Sequence, residues 1–176
     1  VIAWATYIAT KAYVIHSKEI DVALDPQIAP AVYASWAQRW LPLHRQLLVT
    51  LPIALIAPAN NVDSLLYHMS RVMHWSQNGS LRHYATGYHN QLFMPPGAEL
   101  AILNLRVLMG NDRPANLVQW FALLGTLLGV SAIAGLLGAG FAGQILAAVF
   151  AVTIPMGVLQ ATSTQNDYVA GFWALC

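Results

Sequence analysis

Two clusters of side chains have the types and spacing to do chemistry. The first lies in the stretch Asn60 to Trp75, NNVDSLLYHMSRVMHW, where Asp63, Tyr67, Ser70, Arg71 and His74 recur at helical intervals. The second is Gln165-Asn166-Asp167, in which Asp167 is the only charged residue after Arg113. A carboxylate can accept a proton from a hydroxyl, and partial desolvation makes a carboxylate more basic. A lone acid at the end of an apolar helix is a functional candidate on physical grounds, because the cost of placing it there must be offset by something.

The elements that must position these residues are membrane elements. Of the 176 residues, 57% are hydrophobic and only 9% are charged, against roughly a quarter charged in a soluble domain. The net charge of +1 and the lack of a basic stripe with interleaved aromatics exclude a nucleic-acid partner on composition. One cysteine, Cys176, permits neither an internal disulfide nor a cysteine-rich zinc site. The chain opens and closes inside apolar runs, which reads as a piece of a longer polytopic protein. Val1 to His16 reads as the end of a preceding span, since it lacks the basic start and small-residue cleavage site of a signal peptide.

In order, Ser17 to Pro30 is a polar connection, and 41–59 is expected to span if Arg45 reaches the near interface. An external loop, 60–114, follows. Within it Leu65, Leu66, Met69, Val72 and Met73 form one face of a helix and Asp63, Tyr67, Ser70, Arg71 and His74 the other. That division predicts a helix lying in the interface, apolar side toward lipid. Asn78-Gly79-Ser80 is a formal glycosylation sequon read here as a helix stop, and Leu81 to Met94 is a polar, aromatic loop. Pro95-Pro96-Gly97 starts a helix over Ala98 to Met109, about 18 Å long and too short and polar to span. Ala115 to Leu137 is free of charge over 23 residues, about 34 Å of helix and enough to cross. Its Gly125 and Gly129 form a small-xxx-small pair that admits a close helix neighbour. A glycine-rich turn leads to a second span, 144–160, with a kink at Pro155, and 167–176 starts a third. Asp63 and Asp167 then share one membrane face. The expected fold is all-α, with polytopic transmembrane helices and interfacial helices in a large first external loop.

Over 63–167 this pattern resembles the polytopic GT-C class glycosyltransferases, family 39-like, the group that includes protein O-mannosyltransferases and the aminoarabinose transferase of lipid A. Asp63 and Tyr67, with Met73 beyond them, match the D-E-x-x-Y opening of that family's first external loop, and Pro95-Pro96 its double proline. Gly110 to Pro114 resembles the turn that follows, and Gln144 to Asp167 the span ending in a second external aspartate. The resemblance implies a transferase moving a sugar from a polyprenyl-phosphate donor to an acceptor on the external face, with inversion. Asp63 is the implied base, and Asp167 would orient the acceptor or hold a divalent ion against the donor phosphate. Tyr67, Arg71, His74, Gln165 and Asn166 are the implied substrate contacts, Arg71 toward the donor phosphate. A divalent metal ion held by Asp63 and Asp167 is also admitted, although Ser64 stands in place of the family's second acid. Phe93-Met94 stand where the named relatives carry an acid or a basic residue before the prolines, and His83 or His89 are the alternatives for that contact. The implied setting is the bilayer of a bacterial inner membrane, active face outward.

Plainer roles compete with these. Asp63 and Asp167 are also the residues that would cap helices. His68 and His74 are six apart, not the four of helical zinc ligands. Tyr67, Trp75, Tyr84 and Tyr88 fit an interfacial aromatic belt. The competing function is a non-catalytic membrane subunit or a lipid-linked sugar transporter. A transporter calls for an acid near the bilayer midplane, whereas both acids here fall at span ends.

Overall fold

The computed structural model describes residues 29–176, and every regular element among them is helical. The all-α expectation holds. The expected preceding span at 1–16 and nearly all of the polar connection after it lie outside the described residues. The elements are α1 (Ala29–Ile56), a π-helical turn (Ser64–His68) running into α2 (Met69–Asn78), α3 (Asn90–Phe93), α4 (Gly97–Met109), a 3-10 turn (Arg113–Asn116) running into α5 (Leu117–Leu136), α6 (Phe141–Val152), α7 (Pro155–Gln160) and α8 (Asp167–Leu175). The described residues fall into two compact units, 29–46 with 127–153 and 47–126 with 154–176.

In the first unit the turn between α5 and α6 rests on Gly138, whose φ of 94° is a left-handed conformation that side chains resist. Gly135 lets the Gln144 amide approach to 3.1 Å from where a Cβ would stand. α6 buries Ile145, Ala148 and Val152 at helical spacing. It then stops. The expected span over 144–160 is two helices, because Pro155 has no N–H to donate and forces Ile154 into an extended conformation with ψ 117°. The kink foreseen at Pro155 is a break.

The second unit holds both candidate clusters. α1 ends at Ile56, three residues short of the expected boundary, because Pro58 disfavours helical geometry at Ala57. α2 and α4 stop at Gly79 (φ 57°) and Gly110 (φ 70°), both left-handed, and each glycine N–H bonds the carbonyl four residues back, Trp75 and Arg106. The helix-stop reading of Asn78-Gly79-Ser80 is therefore what the backbone does. α4 packs on α2 through a small core of Met69, Val72, Ile102 and Ala115, with Ala59, Leu103 and Val118 against it.

Among the described residues one helix, Arg113–Leu136, is long and apolar enough to cross a membrane; Leu43–Ile56 and Phe141–Val152 are shorter apolar helices.

Candidate functional site

Asp63 lies in the first turn of a helix that begins at Val62. The cap is Asn61, whose Oδ1 accepts the Ser64 N–H at 2.7 Å. Asp63 itself has helical angles, makes no capping hydrogen bond and is exposed. Capping therefore does not explain why an acid stands at position 63. Its Oδ2 accepts a hydrogen bond from Gln165 Nε2 at 3.4 Å, across 102 positions of sequence.

Gln165 and Asp167 are brought there by a capping arrangement of a different kind. α8 begins at Asp167, and Asn166 before it makes no side-chain cap. The cap comes from α5: Gln119 is fully buried, and with its amide oxygen turned toward α8 it accepts the N–H groups of Asp167 and Tyr168, both at 3.2 Å, while its NH₂ donates to the Gln165 carbonyl at 3.0 Å. One side chain thus satisfies the helix start and fixes the residue before it. On the same side, Asn116 Nδ2 in the 3-10 turn before α5 donates to the Ala57 carbonyl just past α1 (2.8 Å), and Trp120 Nε1 in α5 donates to Thr50 Oγ1 in α1 (3.1 Å). These three contacts lock α5 to α1 and α8.

Tyr67 is half-buried one turn below Asp63, its ring tilted against His68 at 3.9 Å between centroids. Burial raises the Tyr67 hydroxyl above its ordinary pKa of 10.0, and the charges of Asp63, Glu99 and Asp167 raise it further, with a contribution from Tyr88. Both candidate acids therefore lie within electrostatic reach of one hydroxyl.

The face division expected for this helix is corrected by the structure. Ser64, His68, Met69, Arg71, Val72 and Trp75 are buried, whereas Leu65 and Leu66 are 55% and 43% exposed. Three of the buried residues, Ser64, His68 and Arg71, are polar, and α4 opposes them with a fully buried carboxylate. Glu99 Oε1 accepts from Arg71 Nη1 at 3.2 Å and bonds His68 Nδ1 at 2.9 Å. Arg71 also donates through Nε to the Gln91 carbonyl and through Nη2 to the Asn90 carbonyl, both at 2.7 Å, and its guanidinium lies 5.7 Å from the Trp75 ring centre. Arg71 is thus an internal strut between α2, α3 and α4, not a cation on a water-facing surface. His74 is half-buried and stacks on Tyr84 at 4.0 Å. Gln91 closes the loop: its Oε1 accepts from Thr86 and Tyr84, and its Nε2 donates to the Leu66 carbonyl at 2.6 Å.

Of the implied substrate contacts, Tyr67, Gln165 and Asn166 share the neighbourhood of the two acids; Arg71 is withdrawn from it. No group of three His, Cys, Asp or Glu side chains with metal-ligand geometry occurs among the described residues. The two aspartates alone are a thin donor set for a divalent cation, and no step below runs through a metal.

Sequence reasoning missed Glu99, His68, Gln91 and Gln119. Glu99 and Gln119 carried a signal, each being a polar residue within an apolar helix on the side of that helix's buried positions, beside Ala98 and Ile102 in one case and Trp120 and Leu123 in the other. Comparison with known protein families, characterised proteins and solved structures finds no match.

Proposed function

We propose that the chain is the catalytic loop and adjoining spans of a polytopic membrane glycosyltransferase that uses a polyprenyl-phosphate sugar. The observation that supports this reading is the Asp63–Gln165 contact, with Asp167 two residues on. Asp63 bonds Gln165 from a distant part of the chain, both acids are exposed, and neither serves as a side-chain cap or stands in an ion pair among the described residues.

In the proposed reaction the acceptor hydroxyl oxygen attacks the anomeric carbon of the donor sugar. The new carbon–oxygen bond forms as the bond to the donor phosphate breaks, the electron pair leaves with polyprenyl phosphate, and the hydroxyl proton passes to an Asp63 carboxylate oxygen. Attack opposite the leaving group inverts the anomeric centre. The Gln165 amide holds one Asp63 oxygen, leaving the other for the proton. Tyr67, kept neutral by its surroundings, is a hydrogen-bond donor at working pH.

The test is Asp63→Asn in the full-length protein. Asparagine is nearly isosteric, its amide oxygen still accepts from Gln165, and the helix keeps its cap at Asn61. Thermal unfolding should be unchanged, while transfer from a polyprenyl-phosphate sugar should fall about 10²- to 10⁴-fold, the usual contribution of a general base. Transfer at the wild-type rate would overturn the assignment of Asp63.

A further inference from the structure

Three buried side chains take no part in the proposed reaction: His68, Arg71 and Glu99. One Glu99 oxygen, Oε1, serves both His68 Nδ1 and Arg71 Nη1. A carboxylate accepts, so His68 carries its proton on Nδ1 and keeps a bare lone pair on Nε2. That Nε2 has no hydrogen-bond partner among the described residues, and neither has Glu99 Oε2 or the Oγ of fully buried Ser64, one turn back. The charges balance as they stand, one guanidinium against one carboxylate. A proton added at Nε2 makes the cluster a net cation and leaves a buried N–H without an acceptor, which only access to water relieves. The other charged or titratable groups do not change this count. On the turn itself Tyr67 is neutral and Asp63 is exposed, α3 carries only Asn90, Gln91, Leu92 and Phe93, and Arg106 on α4 is paired with Asp112 two turns further on.

The same cluster fastens a piece of loop. α3 packs directly on the π-helical turn that carries His68, a departure from α geometry that recurs at functional sites. Arg71, anchored by Glu99, holds the Asn90 and Gln91 carbonyls, and Gln91 Nε2 reaches the Leu66 carbonyl within the turn. We infer that His68 Nε2 is a proton-binding site whose occupation releases α3, so that acid opens the loop over the turn presenting Asp63 and Tyr67. The sign follows from the proton count. The closed form holds one proton fewer than the open one, so closure is favoured at high pH and is lost as pH falls below the range of a hydrated imidazole, about 6.5. This device uses no substrate and does not rest on the transferase reading.

The experiment measures the distance from α3 to α4 in the full-length protein in phosphatidylcholine nanodiscs. Nitroxides are placed at Phe93→Cys and Leu108→Cys in a Cys176→Ser background; positions 93 and 108 are both exposed, so the labels spare the core. Distances are read by double electron–electron resonance on samples taken from about pH 8 to about pH 5, the interval in which histidines change charge. A single short distance is expected at the alkaline end. A longer one should grow in as pH falls, the open-to-closed ratio rising by up to about tenfold per pH unit, the limit for one proton. His68→Gln, which keeps a donor for Glu99 and cannot take up the proton, should stay closed at pH 5, whereas His83→Gln and His89→Gln should open like the wild type. A second measurement needs no variant at His68: deuterium exchange at the His68 Cε1 carbon, followed by mass spectrometry, reports that ring's protonation, and its midpoint should coincide with that of the distance change. A distance that does not respond to pH, opening that persists in His68→Gln, opening abolished by His83→Gln or His89→Gln, or two midpoints that differ would each overturn the inference. The midpoint comparison decides the matter where His68→Gln does not fold.

Discussion

At the scale of residues, two charged side chains eight positions apart do opposite work. Asp63 is an acid left at the surface with one weak partner, while Arg71 is a cation sunk to 1% exposure. Burying a charge costs several kcal/mol, offset only by good geometry with a counter-ion and further acceptors, and Arg71 has both in Glu99 and two carbonyls. Arg71→Gln is accordingly expected to leave Glu99 as an uncompensated buried charge and to destabilise the protein by about 3–5 kcal/mol. Arg71→Met combined with Glu99→Leu should recover much of that loss, and a melting curve for the single variant that overlays the wild type would return Arg71 to the substrate contacts. Tyr67 reports on the acids around it. Because its folded pKa is raised, the folded state favours the neutral phenol; the stability this carries is intact below pH 10.0 and is lost as pH climbs through the folded value. The phenolate absorbance assigned to Tyr67 by difference from Tyr67→Phe should titrate above the ordinary value, and Asp63→Asn or Asp167→Asn should each bring it down. A midpoint indifferent to both substitutions would mean that the two carboxylates do not face that hydroxyl. The acids themselves were legible in the sequence, since a charge in an apolar chain is conspicuous. The burial of Arg71 and His68 was not: it depends on Glu99, 28 and 31 positions away, and no local periodicity reports the partner that makes a polar stripe the inner one.

Among elements, what local chemistry dictates was readable and what packing dictates was not. Gly79, Gly110 and Gly138 end or turn helices where their sequence context foretold it, all three in left-handed conformations. Pro155 was read as a kink and breaks the helix, because the residue before it is also driven out of helical geometry. The Gly125 half of the small-xxx-small pair has its reason in α8: a Cβ at Gly125 would stand 2.5 Å from the Phe172 ring. Real Cβ atoms do not approach so closely, so α5 and α8 owe their spacing to that missing methyl. Gly125→Ala should destabilise the protein by about 1–3 kcal/mol through overpacking. The effect should be relieved in Gly125→Ala with Phe172→Leu, whose shorter side chain vacates the space. Additive losses in the double variant would show that the two positions are not in contact. Since α8 carries Asp167 at its first position, the single variant is also expected to slow transfer beyond what its stability loss explains.

The whole molecule is constrained by one fact: Asp63 and Gln165 touch, so between them the chain crosses any membrane an even number of times. α4, at 13 residues, packs on α2 through Ile102 and is not long and apolar enough to cross. Arg113–Leu136 is long enough for one. If it crosses, the return must be made by the segment after Gly138, whose 12-residue and 6-residue helices are separated at Thr153-Ile154. A broken helix is tolerated at membrane depth only where neighbouring protein satisfies the freed backbone groups. The polytopic architecture thus predicts an outcome at three places. In a Cys176→Ser background, which removes the exposed native thiol, Val62→Cys and Asn166→Cys should react with an impermeant maleimide from the same side of sealed vesicles. Leu137→Cys, at a site 83% exposed in the turn between α5 and α6, should react only from the other. Val62 is chosen over its neighbour Ser64 because Ser64 is fully buried and would not label from either side. Labelling of positions 62 and 166 from opposite sides would contradict the shared site itself. Labelling of all three from one side would keep the site and remove the spans, leaving α5 as an apolar helix that packs within protein.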